Sequence, residues 1–80
     1  MNLNLYYFES CPFCQIVLHE IDTLGIRVKL TDIQADSSAK EYLYKRTGRF
    51  TVPCLFIDDN PMHESRDIIN WLNDNQSKLK

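Results

Sequence analysis

Cys11-Pro12-Phe13-Cys14 places two thiols three positions apart, and the predicted fold is built outward from this stretch. Residues 3–8 precede it as an apolar and aromatic run of strand type. Residues 15–24 follow it with apolar side chains at helical spacing. The two cysteines therefore lie where a strand passes into a helix, and we interpret them as a redox centre.

The chemistry of this junction assigns different roles to the two thiols. Pro12 suits the first turn of the helix, where a missing N–H costs nothing, and this leaves Cys11 at or just before the helix start. Unpaired backbone N–H groups and the positive end of the helix dipole then favour the thiolate of Cys11, the predicted attacking thiol. Cys14 lies about one helical turn further on, within reach of Cys11, and is the predicted resolving thiol.

Length and composition indicate one soluble domain spanning residues 1–80. A hydrophobic share of 44% and a charged share of 25% are ordinary for a globular protein. Net charge is −2, with nine basic residues scattered among eleven acidic ones, so nucleic acid and anionic membranes are not expected partners.

Cysteine usage and the first residues predict a cytoplasmic location. Three cysteines are an odd number and only two of them are close together, which favours a cytosolic thiol site over a disulfide-stapled secreted scaffold. The first residues lack the basic region and cleavage site of a signal peptide and suit a first strand better. No run is long and apolar enough to suggest a membrane span.

The chain after the first helix predicts a βαβ unit and a second helix. Residues 26–30 alternate apolar and basic side chains, as in a strand with one wet face, and should pair in parallel with the first strand. Ser37 or Ser38 is the predicted cap of a second helix that ends near Thr47.

A hairpin and a last helix complete the pattern. Residues 50–57 form a β-rich run, residues 58–61 carry turn signals, and Met62-His63 is the predicted return strand. Ser65 is the predicted cap of a helix that continues to about Asn75. The order βαβαββα predicts an α/β fold with a mixed four-stranded sheet flanked by helices.

Three motifs resemble those of the glutaredoxins, a family of the thioredoxin-fold superfamily, and the resemblance spans essentially the whole chain. They are the dithiol motif Cys11–Cys14, the cis-proline loop Thr51-Val52-Pro53, and the glutathione-binding helix start Met62–Ile68. Their joint order and spacing on the predicted elements make the resemblance specific, and it implies a thioredoxin-like fold.

Two positions refine the resemblance. The pair Glu64-Ser65 is similar to the N-terminal domain of glutathione transferases and to transferase-like glutaredoxins. Short glutaredoxins usually have Gly-Cys-Asp-Asp or a related sequence there. Phe8 stands where many glutaredoxins carry a basic residue, three positions before the first cysteine.

The resemblance implies a glutathione-dependent thiol–disulfide oxidoreductase. Its expected partners are glutathione as cosubstrate and protein disulfides or glutathionylated proteins, and the expected oligomeric state is a monomer. Two alternatives stay open: a module that binds a glutathione-ligated [2Fe–2S] cluster, and a thioredoxin-like reductase served by a flavoprotein.

The implied glutathione site combines donors, an acceptor and a free main-chain edge. Ser65 would give its hydroxyl and N–H to the γ-glutamyl carboxylate, and Glu64 would accept from the ammonium group. The backbone of Val52, before a cis peptide, would pair with the cysteinyl backbone, while Tyr6 and Phe13 would frame the sulfur. The predicted glutathione-binding set is Tyr6, Pro12, Phe13, Val52, Pro53, Glu64 and Ser65.

A structural role for the thiols is the competing interpretation. Cys11, Cys14, Cys54 and His63 together have the composition of a Cys₃His zinc site, but structural zinc usually draws on a second closely spaced ligand pair. Two buried structural cysteines are a further alternative, which the proline between them disfavours. We predict no metal, and we expect Cys54 to lie close to the active-site sulfurs without a catalytic role.

Overall fold

A computed structural model describes residues 1–79 and orders the elements as βαβαββαα. Their bounds are β1 Leu3–Tyr7, α1 Pro12–Leu24, β2 Lys29–Asp32, α2 Ser37–Thr47, β3 Cys54–Ile57, β4 Asn60–His63, α3 Ser65–Asp74 and α4 Gln76–Leu79. The short helix α4 is absent from the sequence prediction. Among residues 1–79, no helix is long and apolar enough to cross a membrane.

The sheet is mixed and four-stranded, as predicted, and its strand order is β2-β1-β3-β4. β1 pairs in parallel with β2 and antiparallel with β3, and β4 adds to the free edge of β3 as a hairpin partner. Because β1 is central and runs directly toward α1, its carboxyl end places Cys11 beside the loop that leads into β3.

Side chains that alternate along the strands bury two separate clusters, one on each face of the sheet. The first cluster joins β1 and β3 to α1 and α3, which pack against each other. The second joins the same strands to α2. The members of the first include Leu3, Leu5, Val17, Ile21, Leu55, Ile68 and Leu72, and those of the second Tyr6, Ile33, Ala39, Leu43, Cys54 and Phe56.

Helices α1 and α2 end at glycines, as the sequence signals indicate, but α2 begins with a different cap from the predicted one. Gly25 and Gly48 take the left-handed conformation (φ 66° and 76°) that closes α1 and α2, as expected of glycine. The N-cap of α2 is Asp36, not Ser37 or Ser38. Its Oδ1 accepts hydrogen bonds from the backbone N–H of Ser38 at 3.0 Å and from the next N–H at 3.2 Å, so both serines already lie in the first turn.

Replacing the cap, Asp36→Ala, should lower the melting temperature in a pH-dependent way. The hydroxyl of Ser38 and two backbone N–H groups hold the pKa of Asp36 below its ordinary value. A depressed folded-state pKa means that the stabilisation is complete above the ordinary pKa and is lost as the pH falls through the folded value. Thermal melts at neutral and acidic pH should therefore show a difference between wild type and variant that shrinks in acid. Ser37→Ala, one position on, is the matched control, and equal effects of the two changes would contradict the assignment of the cap.

β2, β3 and β4 are shifted from their predicted bounds. β3 begins at Cys54, after the cis-proline loop, and not at residue 50. β2 begins at Lys29 because Ile26 still closes the end of α1, with its N–H directed at Ile21, and buries its side chain in the first cluster. The hairpin turn is Asp58-Asp59 alone, both with left-handed φ (45° and 74°), as a two-residue turn of this type requires. The predicted turn residues 60 and 61 belong to β4, whose edge position tolerates a proline.

Candidate active site

The helix start at the dithiol is built as predicted. Cys11 is the N-cap of α1 with extended backbone, and Pro12 is the first helical residue. The N–H of Cys14 donates a hydrogen bond of 3.2 Å to Cys11 Sγ, so the sulfur takes the place of an ordinary capping oxygen. The sulfur of Cys11 thus accepts a backbone hydrogen bond at the start of the helix, where the first N–H groups lack intrahelical acceptors.

Burial separates the second thiol from the first. Cys14 is fully buried, and this burial, with a smaller contribution from Cys11, raises the pKa of Cys14 to about 12; a backbone hydrogen bond from Phe8 offsets part of the shift. Cys14 is therefore a protonated thiol at neutral pH. All three cysteines of the chain are free thiols. This burial fits the predicted division of roles, in which Cys11 is the attacking thiol and Cys14 the resolving one.

A groove of about 250 Å³ opens beside Cys11. Its wall includes Val52, whose carbonyl oxygen lies 4.0 Å from Cys11 Sγ, and the Val52-Pro53 peptide is cis, as predicted. The groove brings together five of the seven residues predicted to bind glutathione and adds one that the prediction omitted. The lining residues are Phe13, Thr51, Val52, Pro53, Glu64 and Ser65.

Polar groups in this groove are left without protein partners. Among residues 1–79, the N–H of Val52 and the hydroxyl of Ser65 make no hydrogen bond, and the carboxylate of Glu64 makes no ion pair. Ser65 begins α3, where the first N–H groups lack intrahelical acceptors. The groove thus presents two hydrogen-bond donors, the N–H of Val52 and the hydroxyl of Ser65, and one acceptor, the carboxylate of Glu64.

The predicted capping role of Ser65 is wrong. Glu64 occupies the N-cap, since its carbonyl accepts from the N–H of Ile68 at 3.0 Å, and Ser65 is the first helical residue. Glu64 holds a left-handed φ of 72° and forms no side-chain cap. A non-glycine residue in this conformation is strained, and such strain concentrates at binding sites. Both side chains therefore remain free toward the groove.

Two predicted site residues do not line the groove. Pro12 is exposed on the outer side of the first turn of α1. Tyr6 is buried on the opposite face of the sheet, with its ring 5.0 Å from that of Phe56 and 6.2 Å from that of Tyr42. The prediction that Tyr6 frames the sulfur is wrong because Leu5 faces α1 and the next residue along a strand must face the other way.

Cys54 also lies on the face of the sheet that α2 covers. It is fully buried, burial raises the pKa of its thiol to about 11, and its Sγ lies 3.8 Å from Nε2 of His63 on the neighbouring strand. Within residues 1–79 no three His, Cys, Asp or Glu side chains gather as a metal site, so the four residues of the alternative zinc site form no common ligand set.

Sequence reasoning missed Thr51 and the His63 pairing. Thr51 belongs to the cis-proline motif, and its position directly before Val52 could have marked it as part of the wall. His63 keeps a buried Nδ1 without a partner in the described residues, and burial lowers the pKa of its ring. No sequence signal predicts this pairing, because it depends on the register of β3 and β4.

Comparison with known proteins places this geometry in a family. Residues 3–62 match the family model for glutaredoxin. Glutaredoxin 3 of Escherichia coli K12 is 33% identical over 57 residues, which cover 71% of this chain and 69% of that protein. A probable glutaredoxin of Synechocystis is 30% identical over 67 residues, covering 82% and 76%.

Solved structures show the same fold. The thioredoxin-like protein BC3987 superposes with a TM-score of 0.78 at 20% identity, covering 91% of this chain and 97% of that one. An epsilon-class glutathione S-transferase from the housefly Musca domestica superposes with a TM-score of 0.80 at 23% identity over 96% of this chain, which spans 36% of the transferase. The fold is thioredoxin-like, and the chain belongs to the glutaredoxin family of thiol–disulfide oxidoreductases.

Proposed function

We propose that this glutaredoxin uses glutathione to reduce protein disulfides and glutathione mixed disulfides through Cys11 and Cys14, as a monomer in the cytoplasm. The observation that carries the proposal is the groove beside Cys11, with unpartnered groups of Val52, Glu64 and Ser65 along it. A reducing compartment keeps such thiols reduced between turnovers.

The γ-glutamyl and cysteinyl parts of glutathione have complementary groups in the groove. The hydroxyl of Ser65 and the free N–H groups at the start of α3 suit the γ-glutamyl carboxylate, and the carboxylate of Glu64 suits the neighbouring ammonium group. The N–H of Val52 suits the cysteinyl carbonyl, since an extended peptide binds through its main chain. Phe13, 65% exposed, would cover the ligand sulfur.

The exchange proceeds in two balanced steps. The Cys11 thiolate attacks the glutathione sulfur of a mixed disulfide, a new disulfide forms between Cys11 and glutathione, and the substrate cysteine leaves as a thiolate that takes up a proton. A second glutathione thiolate then attacks the glutathione sulfur bound to Cys11, which releases oxidised glutathione and restores the Cys11 thiolate. For a protein disulfide, the Cys11 thiolate attacks one of its sulfurs, and a mixed disulfide with the protein forms as the other sulfur leaves as a thiolate. Cys14 then attacks the Cys11 sulfur, its proton passes to the departing protein thiolate, and the Cys11–Cys14 disulfide closes. Two glutathione molecules reduce that disulfide by the same exchange and leave as oxidised glutathione.

A turnover assay tests the proposal. The mixed disulfide of glutathione and 2-mercaptoethanol, with glutathione, glutathione reductase and NADPH, should be consumed catalytically by the purified protein. Reduction that requires a flavoprotein thioredoxin reductase instead would assign the thioredoxin-like alternative. A brown, dimeric protein without turnover after anaerobic purification would assign the cluster-binding alternative.

Ser65→Ala should raise KM for the glutathione mixed disulfide about tenfold with a smaller change in kcat, because a hydrogen bond to a charged group is worth about 1.5–3 kcal/mol. Steady-state kinetics in the same assay measure the effect. Ser77→Ala, an exposed serine on α4, is the matched control and should leave KM unchanged. An unchanged KM in Ser65→Ala would remove Ser65 from the proposed binding site.

A further inference from the structure

An exposed surface of rings and cations lies on α2 and the loop after it. We define this basic aromatic patch as Lys40, Tyr44, Lys45, Arg49 and Phe50. Tyr44 and Phe50 are 51% and 49% exposed, and their rings stack with centroids 4.7 Å apart. The Nζ of Lys40 lies 5.2 Å from the centre of the Phe50 ring. Lys40, Tyr44 and Phe50 thus form one contiguous surface, and Lys45 and Arg49 directly follow Tyr44 and precede Phe50 in the chain.

The patch is positive in a protein that is negative as a whole. Residues 40–50 carry four of the nine basic residues and one of the eleven acidic ones, whereas the whole chain has a net charge of −2. Arg46 is neutralised by Asp59 at 2.8 Å. Among residues 1–79, the cations of Lys40, Lys45 and Arg49 have no carboxylate partner. A surface with uncompensated cations favours a partner of negative charge.

The patch is continuous with the groove beside Cys11. Phe50 directly precedes Thr51, which lines the groove. Arg49 also lies near His63, because its positive charge adds to burial in lowering the pKa of the His63 ring. His63 directly precedes Glu64, which lines the groove. Phe50 is two residues from Val52, whose carbonyl oxygen lies 4.0 Å from Cys11 Sγ, so the backbone of Phe50 lies within about 15 Å of that sulfur, about four residues of extended chain.

We infer that the basic aromatic patch binds an acidic segment of the protein substrate, three or four residues from the cysteine that Cys11 attacks. Carboxylates of the segment would pair with Lys40, Lys45 and Arg49, and an apolar side chain would pack on the exposed rings. The inference rests on the proposed exchange reaction at Cys11. It names the class of protein substrate as one with carboxylates beside its reactive cysteine.

Thiol exchange with two matched peptides tests this inference. Each peptide has a single cysteine in a mixed disulfide with nitrothiobenzoate, and either Glu or Lys at the third and fourth positions from it. Attack by the Cys11 thiolate on the peptide sulfur forms a protein–peptide disulfide and releases the coloured nitrothiobenzoate anion. In the Cys14→Ser protein this single step gives a second-order rate constant, followed by stopped flow.

We expect the Glu peptide to react about tenfold faster than the Lys peptide at low ionic strength, and the difference to shrink as salt is added. The double variant Lys40→Glu with Arg49→Glu should remove or reverse the preference, and Phe50→Ser should slow both peptides. Arg27→Glu with Lys29→Glu is the matched control for total charge. Lys29 pairs with Asn4 near the beginning of β1, away from the end that leads to Cys11, so this control should keep the preference.

Three results would overturn the inference. They are equal rates for the two peptides, an equal loss of preference in the two double variants, and a wild-type dimer in gel filtration that Phe50→Ser converts to a monomer. The last would assign the patch to a second copy of the chain. Because the peptide reaction needs no glutathione, it still reads out the patch if the glutathione turnover assay fails, so the two proposals fail separately.

Discussion

Cys11→Ser abolishes exchange with every disulfide substrate, whereas Cys14→Ser retains reduction of glutathione mixed disulfides and loses mainly the direct reduction of protein disulfides. We expect a loss of more than about a thousandfold for Cys11→Ser, about 4 kcal/mol of transition-state free energy. The reason is positional: Cys11 caps the helix, receives the N–H of Cys14 at 3.2 Å and adjoins the groove. A serine hydroxyl there cannot form the disulfide intermediate.

Cys14 cannot replace the missing nucleophile. It is fully buried, and its pKa of about 12 leaves almost no thiolate at neutral pH. Its contribution begins only after Cys11 has formed a mixed disulfide with a protein, when its thiol can attack the Cys11 sulfur. The monothiol route, in which a second glutathione performs this step, does not need Cys14.

Turnover of glutathione mixed disulfides and of protein disulfides by Cys11→Ser and by Cys14→Ser measures this division of roles. The rate of alkylation as a function of pH in each variant shows which sulfur reacts as a thiolate. Cys54→Ser is the matched control, because Cys54 is a fully buried cysteine on the other face of the sheet. It should change turnover by less than about tenfold, or 1.4 kcal/mol. Alkylation of Cys14 at lower pH than Cys11 would reverse the assignment.

Leu5→Ala should remove about 2–5 kcal/mol from the free energy of unfolding. Leu5 is fully buried on the central strand, lies opposite Leu30 and Leu55, and belongs to the cluster under α1 and α3. Truncation leaves a cavity between the sheet and both helices that carry the site. A domain of this size has a total of about 5–15 kcal/mol, so the variant loses a large share of its stability.

Urea unfolding of wild type and variant, followed by circular dichroism, gives the difference in free energy. Leu30→Ala is the matched control: it is the same substitution on the neighbouring strand, directly opposite Leu5, at a side chain that is 47% exposed. Its loss should stay below about 1 kcal/mol, since little apolar surface leaves water there on folding. Equal losses in the two variants would show that the first cluster does not dominate stability.

Prediction from sequence succeeded where a property depends on neighbours along the chain. The helix start at Cys11, with Pro12 in the first turn, follows from residue types a few positions apart. Likewise, the glycine at position 25 ends α1 because a single residue with left-handed φ suffices. Val52 and Pro53 of the groove wall and the pair Glu64-Ser65 were found through the resemblance to a family.

Local competition explains one error. Asp36, Ser37 and Ser38 can all cap a helix, and their sequence does not rank them. The choice depends on which residue keeps extended backbone while its oxygen reaches the next N–H groups, and here Asp36 does so with φ −134°. The error at α3 has a different cause: Glu64 holds a left-handed φ of 72° and forms no side-chain cap, so no capping residue marks the start of that helix.

By itself, the sequence determined the order of the elements from β1 to α3 and the mixed four-stranded sheet, because these follow from hydrophobic periodicity and turn signals. Only the tertiary structure decided which face of the sheet each strand residue occupies. A shift of one position along a strand reverses the direction of a side chain. Tyr6 therefore lies on the face opposite the predicted site, and Cys54 lies on that same face beside His63. The groove likewise forms only because the cis-proline loop and the start of α3 come together in space.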